Sequence, residues 1–375
     1  MQRLRSEASF WQREYRRRLV SSLIRRASPA VNAMLVRELE VSGQPFELDL
    51  NGPGVTRRRF ATQVLGAAVH LSIPAQDGTL LAENLAWNAL RSYEMAGVLL
   101  DVQSGLIFQD GKVVRQSGNG HRASRDAAFV TGAYRRVQQR NPVKIDSDVA
   151  WLGATSNYYH LLVEVLPRLM RLRELNSSIT FLSDSPPSEY LSRIDADLAN
   201  RVRHMPDDAV VEARTVWAVD PQPQFAPHPA DLDLLFSTYA STDFQHSGSS
   251  HIFIDRRSDL RMPKTARALR RILPNRGFQA HDFATMRWGN QVHVASSAKT
   301  MIGVHGAGLA NLVFMPAGGH VIEVTDGSWW FACYRRMAAA RGHEYSLVVV
   351  PDDDEVSEQE LLASILRVSK ESFGE

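Results

Sequence analysis

The stretch Met301-Ile302-Gly303-Val304-His305-Gly306-Ala307-Gly308-Leu309-Ala310-Asn311 decides how this chain reads. An apolar strand over 299–304 runs straight into a glycine turn, and a helix is expected to begin at about Ala307. Glycines let backbone come close to a bulky anion. A helix starting there aims free N–H groups and its positive dipole end at that anion. The spacing is neither G-x-G-x-x-G nor a turn ending in Gly-Lys-Ser/Thr, so the dinucleotide fingerprint and the P-loop are both absent. Alone, the pattern reads equally well as a tightly packed strand-to-helix turn.

Working outward, the pattern predicts alternating strands and helices on both sides. Downstream, 320–324 is a strand that ends near Glu323, 331–342 a helix, 344–350 a strand and 357–372 a helix. Upstream, 251–255, 277–281 and 299–304 are strands separated by helices over 264–273 and 287–297. Before a proline-rich crossing at 220–229, a similar series occurs: strands over 149–152, 179–182 and 210–219, a helix over 157–175, and helical spacing around 190–198. Such alternation is the rhythm of parallel sheets covered by helices. Further toward the N-terminus, apolar alternation over 60–73 and the Asp110-Gly111 hairpin signal predict a small antiparallel elaboration, with a type I′ turn at Asp-Gly. The expected fold class is therefore α/β, with two Rossmann-like domains facing across a cleft. The expected division is a basic helical region over 1–45, a first domain over 46–229 and a second over 230–375, the last helix free to cross back to the first.

A chain of 375 residues is long enough for two domains, and its net charge of +2 argues against a general nucleic-acid binder. Its single cysteine, Cys333, excludes an intrachain disulfide framework and a cysteine-built zinc site. No run of about 18 apolar residues occurs, so no transmembrane helix is expected. The arginine-rich N-terminus lacks a signal-peptide core. Eight arginines between Arg3 and Arg26 interleave with Phe10, Trp11, Tyr15 and Leu19. They read either as a solvated helix on its own domain or as a peripheral contact with an anionic membrane surface.

Three other sites carry chemistry. The strand over 251–255 ends in Arg256-Arg257, followed by Arg261, and guanidinium forks at a strand's carboxyl end suit a diphosphate. Glu323 closes an apolar strand just after the glycine turn, where a carboxylate can bind ribose hydroxyls. His160 and Glu164 lie four apart on one predicted helix face and suit a general base with its partner. Either can be the base, and Asp184 is a third candidate.

The segments from Asn157 to Leu169, Ile252 to Arg257 and Gly303 to Pro316, followed by Val321-Ile322-Glu323-Val324, occur in an order that resembles glycosyltransferase family 61. The resemblance covers roughly residues 80–350. It implies a GT-B fold and an inverting, metal-independent transfer of a hexosyl or pentosyl unit from a UDP-sugar to a glycan or lipid-linked hydroxyl, with no other cofactor. It further implies capsule or exopolysaccharide biosynthesis, while the single cysteine fits a reducing cytoplasm and residues 1–30 offer a contact with the inner face of a membrane. On this resemblance His160 and Glu164 are catalytic, Arg256, Arg257, Arg261, His305, Gly306, Ala307, Gly308 and Asn311 bind the donor diphosphate, and Glu323 binds ribose. One departure stands out: family members usually carry an Asn-Glu pair early in the helix after the arginine strand, where this chain has Thr265-Ala266. An inactive nucleotide- or glycan-binding relative, or another nucleotide-dependent enzyme, are the alternatives. Three Asp-x-Asp matches (Asp146/Asp148, Asp195/Asp197, Asp231/Asp233) look like chance. Trp329-Trp330 reads as packing before stacking on a sugar.

Overall fold

The computed structural model describes residues 55–59, 69–74, 80–85, 91–114, 127–153, 157–184, 186, 189–206, 208–219, 227–240, 250–256, 262–325, 332–350 and 357–369, the first three by backbone alone. The basic stretch over 1–45, Arg257, Arg261 and Trp329-Trp330 lie outside the described residues.

Two large sheets form among the described residues. The C-terminal one has five parallel strands in the spatial order Gln279–His281, His251–Ile254, Thr300–Val304, His320–Thr325, Glu344–Val349. Its central strands read as near-continuous apolar runs because helices cover both faces: every residue of Thr300–Val304 is buried. The order reverses between His251–Ile254 and Thr300–Val304. In an open parallel sheet, the crevice for a ligand lies at the carboxyl ends of two such strands. Arg256 follows the first of them and His305 the second.

The other sheet is mixed. Strands Val202–His204, Thr180–Ser183, Val143–Trp151 and Val210–Val219 run parallel, as the alternation predicts. Val210–Val219 then pairs antiparallel with Arg91–Met95 and Leu99–Asp101, so the antiparallel elaboration is fused to the parallel strands. The hairpin Leu106–Gln109 to Lys112–Val113 turns at Asp110 (φ 49°) and Gly111 (φ 74°), the double positive φ of a type I′ turn. Helix Ala127–Gln139 comes between the hairpin and strand Val143–Trp151 in the chain. Arg136 holds buried Asp101 through two bonds of 2.7 and 2.8 Å.

The sheets share one apolar core. Leu161, Leu162 and Leu169 of the first half and Leu309, Leu312, Val313 and Phe314 of the second belong to a single buried cluster. Each such side chain contributes about 1.5–3 kcal/mol by burial, so on this side the halves are held by packing rather than divided by solvent. Helix Pro229–Tyr239 bridges them. Its Asp231 takes a 2.6 Å bond from Arg171 of Leu166–Leu175, both groups buried, while Phe236 lies under the Arg341 guanidinium at 4.3 Å. The division expected between 229 and 230 thus falls at the first residue of a helix that serves both halves. Among the described residues, no helix is long and apolar enough to cross a membrane.

Candidate functional site

The helix expected over 157–175 forms with a fault in the middle. Asn157 caps it, its side chain accepting from the N–H groups of Tyr159 and His160. After Tyr158–His160 the chain widens into a π turn, Leu161–Val165, where the Leu166 N–H reaches back five residues to Leu161 O. Pro167 explains the fault: it has no N–H to give to the preceding turn. Single π turns in helices occur often at functional sites. Here the turn carries Glu164, whose Oε2 lies 2.9 Å from Nδ1 of His160, both side chains mostly buried. Arg168 follows one turn later and donates to the carbonyls of Trp151 and Leu152. Burial pushes its guanidinium down to about 10, against the opposing pull of Glu164.

The glycine turn leads into a 3-10 helix, Ala307–Phe314, where an α-helix was expected. At eight residues it is long for its kind, and its geometry stacks side chains three apart. Gly308, Asn311 and Phe314 therefore share one face. Asn311 Nδ2 donates to Gly308 O at 3.0 Å, and Phe314 meets the Trp288 ring edge-on at 5.9 Å. Tyr158, from the other half, lies against this face: its hydroxyl donates to Asn311 Oδ1 at 2.9 Å and accepts from Trp288 Nε1 at 3.2 Å. Burial raises the Tyr158 hydroxyl above its usual range, so it stays protonated as a donor. Asn311 is thus fully buried and fastens the two halves at the turn.

At the head of the 3-10 helix, Leu309 N–H makes the first internal bond, to Gly306 O, so the N–H groups of Ala307 and Gly308 precede it. Arg256 lies across this end, its Nη1 donating to His305 O at 2.6 Å. Gly306 is what admits the guanidinium: a Cβ there would stand 1.6 Å from Nη1 and 2.2 Å from Cζ. Its backbone is extended (φ 168°), so close approach, and not backbone strain, calls for glycine. The neighbouring Asp255 is buried and takes two bonds of 2.7 and 2.8 Å from Arg270, which steadies the strand end.

His305 is held at three points. Its N–H bonds Val324 O at 2.8 Å, its carbonyl takes the Arg256 bond, and its Nδ1 pairs with Glu323 Oε1. The other Glu323 oxygen accepts from the Tyr345 hydroxyl at 2.6 Å, and the carboxylate is wholly buried. In this conformation, Glu323 faces His305. Between the two histidines lies a floor of tyrosine rings. His160 meets Tyr159 at 5.3 Å, Tyr159 meets Tyr334 at 5.8 Å, and Tyr334 meets His305 at 5.3 Å.

The structure thus joins His160, Glu164, Arg256, His305, Gly306 and Asn311 in one connected cluster at the carboxyl end of the C-terminal sheet. Asp184 follows the strand Thr180–Ser183, with its carbonyl 3.3 Å from His204 Nε2. Four of the six Asp-x-Asp aspartates hold structure: Asp195 caps Ala196–Asn200, Asp148 takes bonds from Asn176 and Arg214, Asp231 meets Arg171 and Asp233 meets Arg341. Sequence reasoning missed Tyr158, Tyr159, Tyr334, Trp288 and Tyr345. Tyr158 and Tyr159 directly precede His160 in the chain, and only the fold places the other three nearby.

The comparisons with known proteins bear on this cluster. Residues 158–322 match the glycosyltransferase 61 family model. The matched span of this glycosyltransferase 61 similarity opens at Tyr158 and takes in His160, Glu164, Arg256, His305 and Asn311. It closes one residue before Glu323. No curated protein matches the chain.

Proposed function

We propose that the protein is an inverting glycosyltransferase that takes a sugar from a nucleotide diphosphate, with UDP as the nucleotide, and needs no metal for the transfer. The observation that carries this reading is the Arg256 guanidinium lodged over Gly306 at the head of the 3-10 helix, at the reversal point of a parallel sheet. A cation and aligned N–H groups at one point suit a diphosphate. Arg257 and Arg261 would add charge from the adjoining segment, and Asn311 would keep the turn in place through Tyr158.

In the proposed step His160 Nε2 removes the proton of an acceptor hydroxyl while that oxygen attacks the anomeric carbon. The bond from that carbon to the phosphate oxygen breaks on the opposite face, and its electron pair leaves with the diphosphate. Glu164 accepts from Nδ1–H of His160, which orients the ring with Nε2 toward the acceptor. The geometry favours His160 as base and Glu164 as its partner. Arg256, His305 and the N–H groups of Ala307 and Gly308 receive the leaving charge, a preorganised electrostatic role. The acceptor would be a glycan or lipid-linked hydroxyl in polysaccharide assembly at the cytoplasmic face of a membrane. Glu323, buried against His305, is assigned here to that ring in place of ribose.

Calorimetric titration with UDP tests the reading, with Arg256→Ala as comparator. Wild type should bind, and the variant should bind on the order of 10²-fold more weakly, the worth of one charged phosphate contact. Lack of UDP binding by wild type would end the transferase reading. Binding without transfer or hydrolysis across a panel of UDP-sugars would mark an inactive relative, for which the Thr265-Ala266 departure is the first place to look.

A further inference from the structure

Glu323 is a fully buried carboxylate that solvent does not reach. Such a group is tolerated inside a protein when its lone pairs are bonded. Both its oxygens are, one by His305 Nδ1 and one by the Tyr345 hydroxyl. Tyr345 stands on the last strand, in register with Val321 and so on the same sheet face as Glu323. With the backbone of His305 already fixed by Val324 and Arg256, these two side chains fix its ring as well. Chemistry at the ring then runs through Nε2.

We propose that Glu323 and Tyr345 are positioning residues that hold the His305 ring with Nδ1 bonded to Glu323 and Nε2 turned to donate to the terminal phosphate of the nucleotide. This rests on the transferase reading above and deepens it. When the anomeric carbon–oxygen bond breaks, its electron pair settles on the phosphate, and Nε2–H strengthens its hydrogen bond there without giving up the proton. The site would then hold two histidine–carboxylate pairs of opposite duty on either side of the tyrosine rings. His160–Glu164 accepts a proton, and His305–Glu323 stabilises the departing charge.

UDP and UMP separate this from a merely structural role, because only UDP carries the terminal phosphate. Glu323→Gln keeps the shape of the side chain and removes its charge. It should weaken UDP about tenfold while leaving UMP within about twofold of wild type. Tyr345→Phe, which removes a hydroxyl alone from a partly exposed ring, should do the same to a smaller degree. In a His305→Gln background neither change should weaken UDP further, since both act through that ring. Equal weakening of UDP and UMP, unchanged UDP affinity, or full additivity with His305→Gln would each overturn the inference alone. Lack of UDP binding by wild type would overturn the transferase reading, and this inference with it.

Discussion

Replacing Gly306 with alanine separates binding from stability at a single atom. The new Cβ would sit 1.6, 2.2 and 2.9 Å from Nη1, Cζ and Nη2 of Arg256, so the guanidinium must leave its seat. The backbone at 306 is extended, a conformation alanine adopts freely, so the fold loses little beyond the 2.6 Å bond from Arg256 to His305 O. That bond is partly exposed, and its loss should cost about 1 kcal/mol of stability, since the freed guanidinium returns to water. The ligand loses more. A charged contact to a phosphate is worth about 3 kcal/mol, and each 1.4 kcal/mol is tenfold in affinity, so UDP should bind on the order of 10²-fold more weakly. Calorimetry with UDP and a thermal melt measure the two effects separately. Gly306→Ala and Arg256→Ala should lose the same affinity, and the double variant no more than either, because both changes remove one contact. UDP affinity within about threefold of wild type in Gly306→Ala would refute the reasoning. So would a melting loss of the size of a core truncation.

Two other outcomes are expected. His160→Ala should lower turnover of a UDP-sugar by on the order of 10²- to 10⁴-fold with UDP affinity unchanged, and Glu164→Gln by less, since glutamine still accepts from Nδ1–H; a larger loss in Glu164→Gln would exchange the two roles. His343 is buried with Nε2 3.1 Å from Leu312 O, and burial, then the Arg341 charge, push it down to about 4. Its folded value lies below the ordinary 6.5, so the unfolded chain binds the proton more readily. Its stabilisation is complete above about pH 6.5 and is lost as pH falls toward 4, by on the order of 3 kcal/mol in all. Urea unfolding of His343→Gln should accordingly show a shallower drop in stability between pH 7 and pH 5 than wild type, and parallel curves would rule this out.

The C-terminal sheet was legible because its strands are buried on both faces and bounded by helices of clear period. Residues 320–324 were read as a strand and His320–Thr325 forms one; the same holds for 344–350 and Glu344–Val349. Helix Pro229–Tyr239 was not legible, since the prolines before it read as a linker, although Pro229 is a good first helical residue. Around 190–198 one helical pattern resolves into two short helices, because the Asp195 side chain accepts from the Leu198 N–H ahead of it and caps the second. The 3-10 form of Ala307–Phe314 was hidden as well: its apolar run suits an α-helix equally, and the contacts of Asn311 with Tyr158 and Gly308 come from the tertiary fold. At the site, the residue types were readable but their partners were not. A carboxylate at a strand end looks the same in sequence whether it faces a ligand or a buried histidine.

The π turn before Pro167 has a consequence for how this helix can vary. An α-helix advances about 100° per residue, so one extra residue in a turn offsets everything ahead of it by about that angle. Leu169 and Leu172, behind the fault, keep the phase that packs them into the shared core. Tyr158, Tyr159 and His160, ahead of it, follow a second phase that points them at Asn311, Tyr334 and Glu164. The helix is thus written in two reading frames joined by a single inserted residue. Deleting Leu162 or Val163 would take out that inserted residue and swing Tyr158 away from the glycine turn, even though every residue named at the site would still be present.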